Sequence, residues 1–125
     1  MINFSVNLKS GIPIYEQVIY AVKKAIVSGQ LREGDPFPSV GELSKELRIN
    51  PNTAQKIVTN LVQEKLLEIK PGIGSMVSKL SNATEEQRHN ILNTEVEKLV
   101  IETKRLSIKK GELIEAIQNH WGKGR

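Results

Sequence analysis

Only three residues, Arg48, Ile49 and Asn50, separate the end of one helical pattern from the start of the next, and this spacing constrains the fold more than any other feature of the chain. The upstream pattern opens at Ser39-Val40-Gly41-Glu42. There a serine hydroxyl can accept from an orphan amide of the first turn while the glutamate reaches back to the serine N–H. Val40, Leu43 and Leu47 then give a short helix with one apolar edge, ending near Arg48. The downstream pattern opens at Asn50-Pro51. Asparagine is a good N-cap, and proline suits the first helical position, where its missing N–H costs nothing. Ala54, Ile57, Val58, Leu61 and Val62 follow at i, i+3, i+4, i+7 and i+8, so one face of this helix belongs to a core. Two amphipathic helices joined by so short a turn predict a helix-turn-helix.

The flanking segments extend that motif. An extended lead-in ends at Pro13, after which Tyr15, Val18, Ile19, Val22 and Ile26 recur at helical spacing up to Gly29, predicting a first helix over 14–28. Gly34, Pro36 and Pro38 break any helix in 31–38 and leave a turn with at most a short extended piece. Beyond the third helix, 66–70 and 75–78 flank Pro71-Gly72-Ile73-Gly74, which reads as a β-hairpin with a glycine-bearing tip. The order of these elements predicts a winged helix-turn-helix, mainly α with a small β-hairpin wing.

In such a fold the third helix turns its N-terminal residues toward base edges. Its polar face is Asn52, Gln55, Lys56, Thr59, Asn60 and Gln63, and no acidic residue lies between Asn50 and Gln63. Amides such as Asn52 and Gln55 can donate and accept together against adenine, and Lys56 suits a phosphate or a guanine edge. Lys45, Arg48 and Lys70 are candidate phosphate contacts, or else solvated surface charges. Gly72 and Gly74 let backbone amides approach a sugar-phosphate surface, although an ordinary hairpin turn uses glycines equally well.

A second unit follows from about residue 81. Thr84-Glu85-Glu86-Gln87 repeats the capping-box pattern, and Leu92, Val96, Leu99, Thr103 and Leu106 then step by four, three, four and three, a heptad-like stripe. After 107–111 a short helix carries Leu113, Ile114, Ile117 and Trp121 on one face. A helical hairpin with this much apolar surface packs on the winged domain, on another copy, or both. A dimer seam is the favoured reading, drawn from Leu92, Val96, Leu99, Thr103, Leu106, Leu113, Ile117 and Trp121. The expected division is therefore 1–80, a DNA-binding winged helix-turn-helix, and 81–125, a C-terminal two-helix dimerisation hairpin.

Composition narrows the function. The 125 residues carry 18 basic and 14 acidic side chains, a net +4 that permits polyanion binding. The five aromatics, Phe4, Tyr15, Tyr20, Phe37 and Trp121, are too scattered to stack single-stranded bases, so the expected nucleic acid is a duplex. No apolar run approaches the roughly 18 residues of a spanning helix. The first residues lack the basic-then-apolar pattern of secretion, so the expected location is the cytoplasm, with no membrane partner. The absence of cysteine excludes disulfides, thiolate catalysis and cysteine-based zinc sites. His89 and His120 have no accompanying ligand set, and the chain shows neither a nucleophile with a base nor a phosphate-cradling loop. The expectation is therefore no catalytic residue, no metal, no cofactor and no enzymatic activity; a small-molecule effector stays unspecified.

The stretches PIYEQV (13–18), SGQLREGDPFPSVGELSKEL (28–47), NPNTAQK (50–56), EKLLE (64–68) and GIGS (72–75) followed by Val77 resemble the GntR family of bacterial transcriptional regulators. The resemblance covers roughly residues 10–79 and departs from the family's habit at Gly41 and Ile73, where an arginine and a basic wing residue are common. It implies that Ser39 and the start of the second helix touch the DNA backbone. It further implies that Asn50, Asn52, Thr53, Gln55 and Lys56 carry the recognition-helix contacts, and that Gly72 and Ser75 serve the wing. The short helical tail resembles that of the YtrA subfamily, whose members are dimers without a large effector domain and commonly regulate neighbouring transporter operons. The expectation is a homodimeric, sequence-specific regulator of double-stranded DNA, a repressor on a palindromic operator. The alternative is a winged-helix module that binds protein and never DNA.

Overall fold

The computed structural model describes residues 2–79 and 83–122 and divides into two compact units, Met1–Asn82 and Ala83–Arg125. In the first, α1 (Ile14–Ser28), α2 (Val40–Leu47) and α3 (Pro51–Gln63) precede an antiparallel pair, β1 (Leu67–Lys70) and β2 (Gly74–Val77). Each helix boundary has a local cause. Gly29 ends α1 in the left-handed region, its N–H donating to the Ile26 carbonyl. Ser39 opens α2 with the reciprocal capping box: its Oγ accepts from the Glu42 N–H at 3.1 Å, and its own N–H donates to Glu42 Oε1 at 3.0 Å. Arg48, at φ 54°, closes α2 and turns the chain. Ser44 Oγ then donates to the Ile49 carbonyl at 2.7 Å, and Asn50 Oδ1 accepts from the Asn52 N–H at 2.7 Å to start α3.

The core explains why these elements share one unit. Val18, Val22, Leu31, Leu43, Ala54, Ile57, Leu61, Leu67 and Val77 are almost wholly buried together, so every helix and both strands contribute to one apolar cluster. The hairpin pairs Leu67 with Val77 and Ile69 with Ser75. Leu67 is buried while Ile69, on the same face of the strand, is 62% exposed, so the wing starts in the core and runs out beyond it.

Two features go beyond the sequence reading. The short extended piece in 31–38 lies along β2 as a strand-like neighbour: the Phe37 N–H donates to the Ser75 carbonyl at 3.0 Å and the Val77 N–H to the Asp35 carbonyl at 2.9 Å. The lead-in is also a working part of the domain. Phe4 is buried and stacks on Phe37 with ring centroids 5.5 Å apart. Gln17 ties the lead-in to α1 through three bonds, accepting from the Lys9 N–H at 2.7 Å and donating to the Lys9 and Ile12 carbonyls at 2.8 Å.

The second unit contains α4 (Glu85–His89), a π-helical segment (Asn90–Glu95), α5 (Val96–Arg105) and α6 (Lys110–Gly122). Thr84 and Gln87 form the predicted capping box. The heptad-like stripe predicts an uninterrupted α-helix, but the Val96 N–H reaches the Ile91 carbonyl, five residues back, and the turn there is widened. Within this segment the Asn93 Nδ2 donates to the His89 carbonyl at 3.2 Å, the acceptor that the Asn93 backbone N–H would use in an α-helix. The last helix begins at Lys110, so Gly111, expected before it, lies inside it.

Candidate nucleic-acid interface

The candidate DNA contacts of the first unit sit on three of its elements, α2 with its turn, α3 and the wing, with α3 packed against both α2 and β1. Asn50, Asn52, Gln55 and Lys56 are exposed along α3 and its cap, and Thr53 is half-buried. The first turn of α3 contains no acidic side chain. Its amides and helix dipole therefore present a positive end that no carboxylate offsets locally. Asn50 and Ser39 each spend one oxygen lone pair on starting a helix, which leaves the Asn50 Nδ2 and the Ser39 hydroxyl hydrogen as donors outward. Gln55 Nε2 donates to Thr59 Oγ1 at 3.2 Å, which holds the amide along the helix and leaves its oxygen to accept.

The cations differ in their neighbours. Lys70 lies 3.6 Å from Glu68 on the wing, and Lys23, outside the candidate set, lies 2.9 Å from Glu64. Each of these two lysines therefore has a carboxylate beside it, in an exposed pair. Lys56 instead sits with Nζ 3.9 Å from the centre of the Tyr15 ring. Lys45 and Arg48 are exposed at the end of α2. At the other end of α2, the backbone hydrogen bond from Ser39, followed by its side-chain bond, holds the Glu42 carboxyl below the ordinary carboxylate value.

At the wing tip Gly72 and Gly74 adopt φ 79° and 118°, a backbone that L side chains rarely enter, and the Ile73 N–H closes the turn on the Lys70 carbonyl at 3.0 Å. Ile73 itself is 77% exposed, and Ser75 is half-buried. Tyr15 and Gln17 are the residues that sequence reasoning passed over. Both lie in the PIYEQV stretch, yet helical spacing marks Tyr15 only as core-facing and gives Gln17 no role.

The tail candidates lie in the second unit. Leu92, Val96, Leu99, Leu106, Ile117 and Trp121 are exposed, and Leu113 is half-buried. Thr103 is buried, its hydroxyl donating to the Leu99 carbonyl at 2.7 Å. Among the described residues no cluster of three or more metal-ligating side chains occurs, and no helix is long and apolar enough to cross a membrane.

Comparison with known proteins places this geometry. Residues 14–77, more than half of the chain, match the model of the bacterial regulatory proteins of the gntR family. The HTH-type transcriptional repressor YtrA of Bacillus subtilis (strain 168) is 30% identical over 114 residues, spanning 90% of this chain and 88% of that protein, so the similarity runs on into the tail. A solved structure described as a transcriptional antiterminator from Listeria monocytogenes EGD-e superposes with TM-score 0.84 at 23% identity, over 97% of this chain and 91% of the other. The DNA-binding domain of AraR, solved in complex with operator ORR3, matches with TM-score 0.50 at 26% identity, over 62% of this chain and 95% of that domain. The winged helix-turn-helix, the family match and the YtrA-like tail converge: this chain belongs to the GntR family of bacterial transcriptional regulators, which are DNA-binding proteins and not enzymes.

Proposed function

We propose that the chain works in the cytoplasm as a homodimeric repressor on a palindromic operator, residues 1–80 binding DNA and residues 81–125 joining the two copies. The observation that carries the reading is the exposed, acid-free N-terminal face of α3, standing on a buried core and bounded by the wing. In this reading Asn52 and Gln55 read base edges. Asn50, Thr53, Lys56, Ser39, Lys45, Arg48 and Lys70 meet phosphates, and the Gly72–Ser75 tip lies along the adjacent backbone. The dimer rests on the exposed Leu92, Val96, Leu99 and Leu106, which offer an apolar stripe for a second copy. Repression is carried over from the relative named YtrA.

Selection of bound duplexes from a random pool tests this directly. A recovered palindrome with half-sites about one helical turn apart supports a symmetric pair of recognition helices, whereas recovery of no common sequence overturns the operator reading. The exposed Ile73 and the pairing of Lys70 with Glu68 favour one second reading, a wing that meets protein. A salt titration separates the two, because phosphate neutralisation makes duplex affinity fall steeply with salt and a protein partner need not.

A further inference from the structure

We propose that Tyr15, in the first turn of α1, is a positioning residue for DNA binding: its ring fixes the ammonium of Lys56 on α3 so that the charge is already placed when a phosphate arrives. This rests on the reading of α3 as the recognition helix. Lys56 Nζ stands 3.9 Å from the Tyr15 ring centre, well inside the roughly 6 Å over which a ring face attracts a cation.

What sets this contact apart is that it restrains a lysine without neutralising it. Lys23 and Lys70 each have a carboxylate beside them, which competes with a phosphate for the ammonium. An aromatic ring carries no net charge, so Lys56 keeps its full positive charge. The ring covers one side of the ammonium, and the N–H groups on the other side remain free to donate. A lysine side chain has much rotamer freedom to lose on fixing one geometry. A ring that has already narrowed that freedom lowers the cost of the contact. Tyr15 is suited to the task because it is itself fixed: it is half-buried against the core cluster, and Gln17, two residues on, is locked to the lead-in by its three hydrogen bonds. A residue of α1 thereby sets the pose of a recognition-helix side chain.

The test uses the full chain with two probes, a mixed-sequence duplex and the duplex recovered by selection, measuring affinity against salt. Lys56→Ala is expected to weaken binding to both about equally and to flatten the salt slope by about one unit. Tyr15→Leu is expected to reproduce part of that loss, about three-fold, and Tyr15→Phe, which keeps the ring face, to restore it. In the Lys56→Ala background Tyr15→Leu is expected to have no further effect. Replacing Tyr15 by phenylalanines of increasing fluorination, which drains the ring face of negative potential at nearly constant shape, is expected to weaken binding stepwise. This series keeps the test decisive if Tyr15→Leu fails to fold. Equal losses from Tyr15→Leu with and without Lys56, a Tyr15→Phe variant as weak as Tyr15→Leu, or Lys56→Ala binding as tightly as the parent would each overturn the proposal. Failure of the underlying reading looks different: Asn52→Ala and Gln55→Ala would then leave selected and mixed duplexes bound as before.

Discussion

Asn52 and Gln55 differ from Lys56 in what their loss does. A side-chain amide that reads a base contributes only on the right sequence, so Asn52→Ala or Gln55→Ala is expected to cost roughly 1–3 kcal/mol on the selected duplex and little on a mixed one. Competition binding with the two duplexes checks this, and equal losses on both remove the base-reading role. Gly41 offers the converse experiment. A Cβ built there meets only Ser39 Oγ, at 3.9 Å, so a side chain fits without strain. Gly41→Arg is expected to steepen the salt dependence of DNA binding by about one phosphate contact. It is also expected to stabilise α2 by up to about 1 kcal/mol, since glycine is costly in a helix. A binding titration across salt concentrations and a thermal melt read the two effects separately. An unchanged salt slope would turn this face of α2 away from DNA.

Among the elements, α2 depends most on its start, because eight residues supply few internal hydrogen bonds and the capping box satisfies amides the helix cannot. Ser39→Ala is expected to cost about 1 kcal/mol for the lost hydroxyl cap. The interaction also carries a pH signature. The folded state holds the Glu42 carboxyl below its ordinary value, so this stabilisation is present above the unfolded-state value and is lost as pH falls through the folded one. Melts of the parent and of Glu42→Gln should therefore draw together as the solution is acidified below the ordinary carboxylate range, because the variant lacks the titrating group while Ser39→Ala keeps the backbone N–H that donates to it; a gap that stays constant with pH would remove the carboxylate's charge from the cap's contribution.

The same elements show what was legible in the chain beforehand. α1, α2 and α3 begin and end where caps, prolines and Gly29 place them, because those signals act through neighbouring residues. The strand-like pairing of 35–37 with β2 was only half visible, since prolines forbid a helix without naming a partner. The Phe4–Phe37 stack and the Tyr15–Lys56 contact join residues far apart in sequence, which no periodicity reports. In the tail, the widened turn at 90–95 leaves the apolar stripe's spacing unchanged in the sequence, so the stripe does not report it.

For the whole molecule the question is why a DNA-binding unit carries a tail whose apolar residues lie open. A second copy seated on them would give each winged unit a linked neighbour, and the second half-site would then be met at high effective concentration, with avidity gains of about 10² to 10⁴. A chain ending at residue 80 is expected to stay folded, since the core cluster draws only on residues up to Val77, but to sediment as a monomer and lose most operator affinity. Leu99→Glu in the full chain should do nearly the same by burying an unpaired charge at the seam. Sedimentation and operator titration together decide: a shortened chain that is monomeric yet binds as tightly as the parent gives the tail another purpose.

The π segment would give a seam built on this stripe tolerance to a change in length. Six residues in the wider coil of Asn90–Glu95 sweep through about the same angle as five in an α-helix, so the chain carries one residue of slack there. Removing one residue from 93–95 would let the segment tighten to α geometry while Leu92 and Val96, then three apart, still face the same way. The same deletion inside Val96–Arg105 would turn every later side chain by about 100° and scatter the stripe. A family that varied the length of its tail without losing its partner would find its permitted step at this one place.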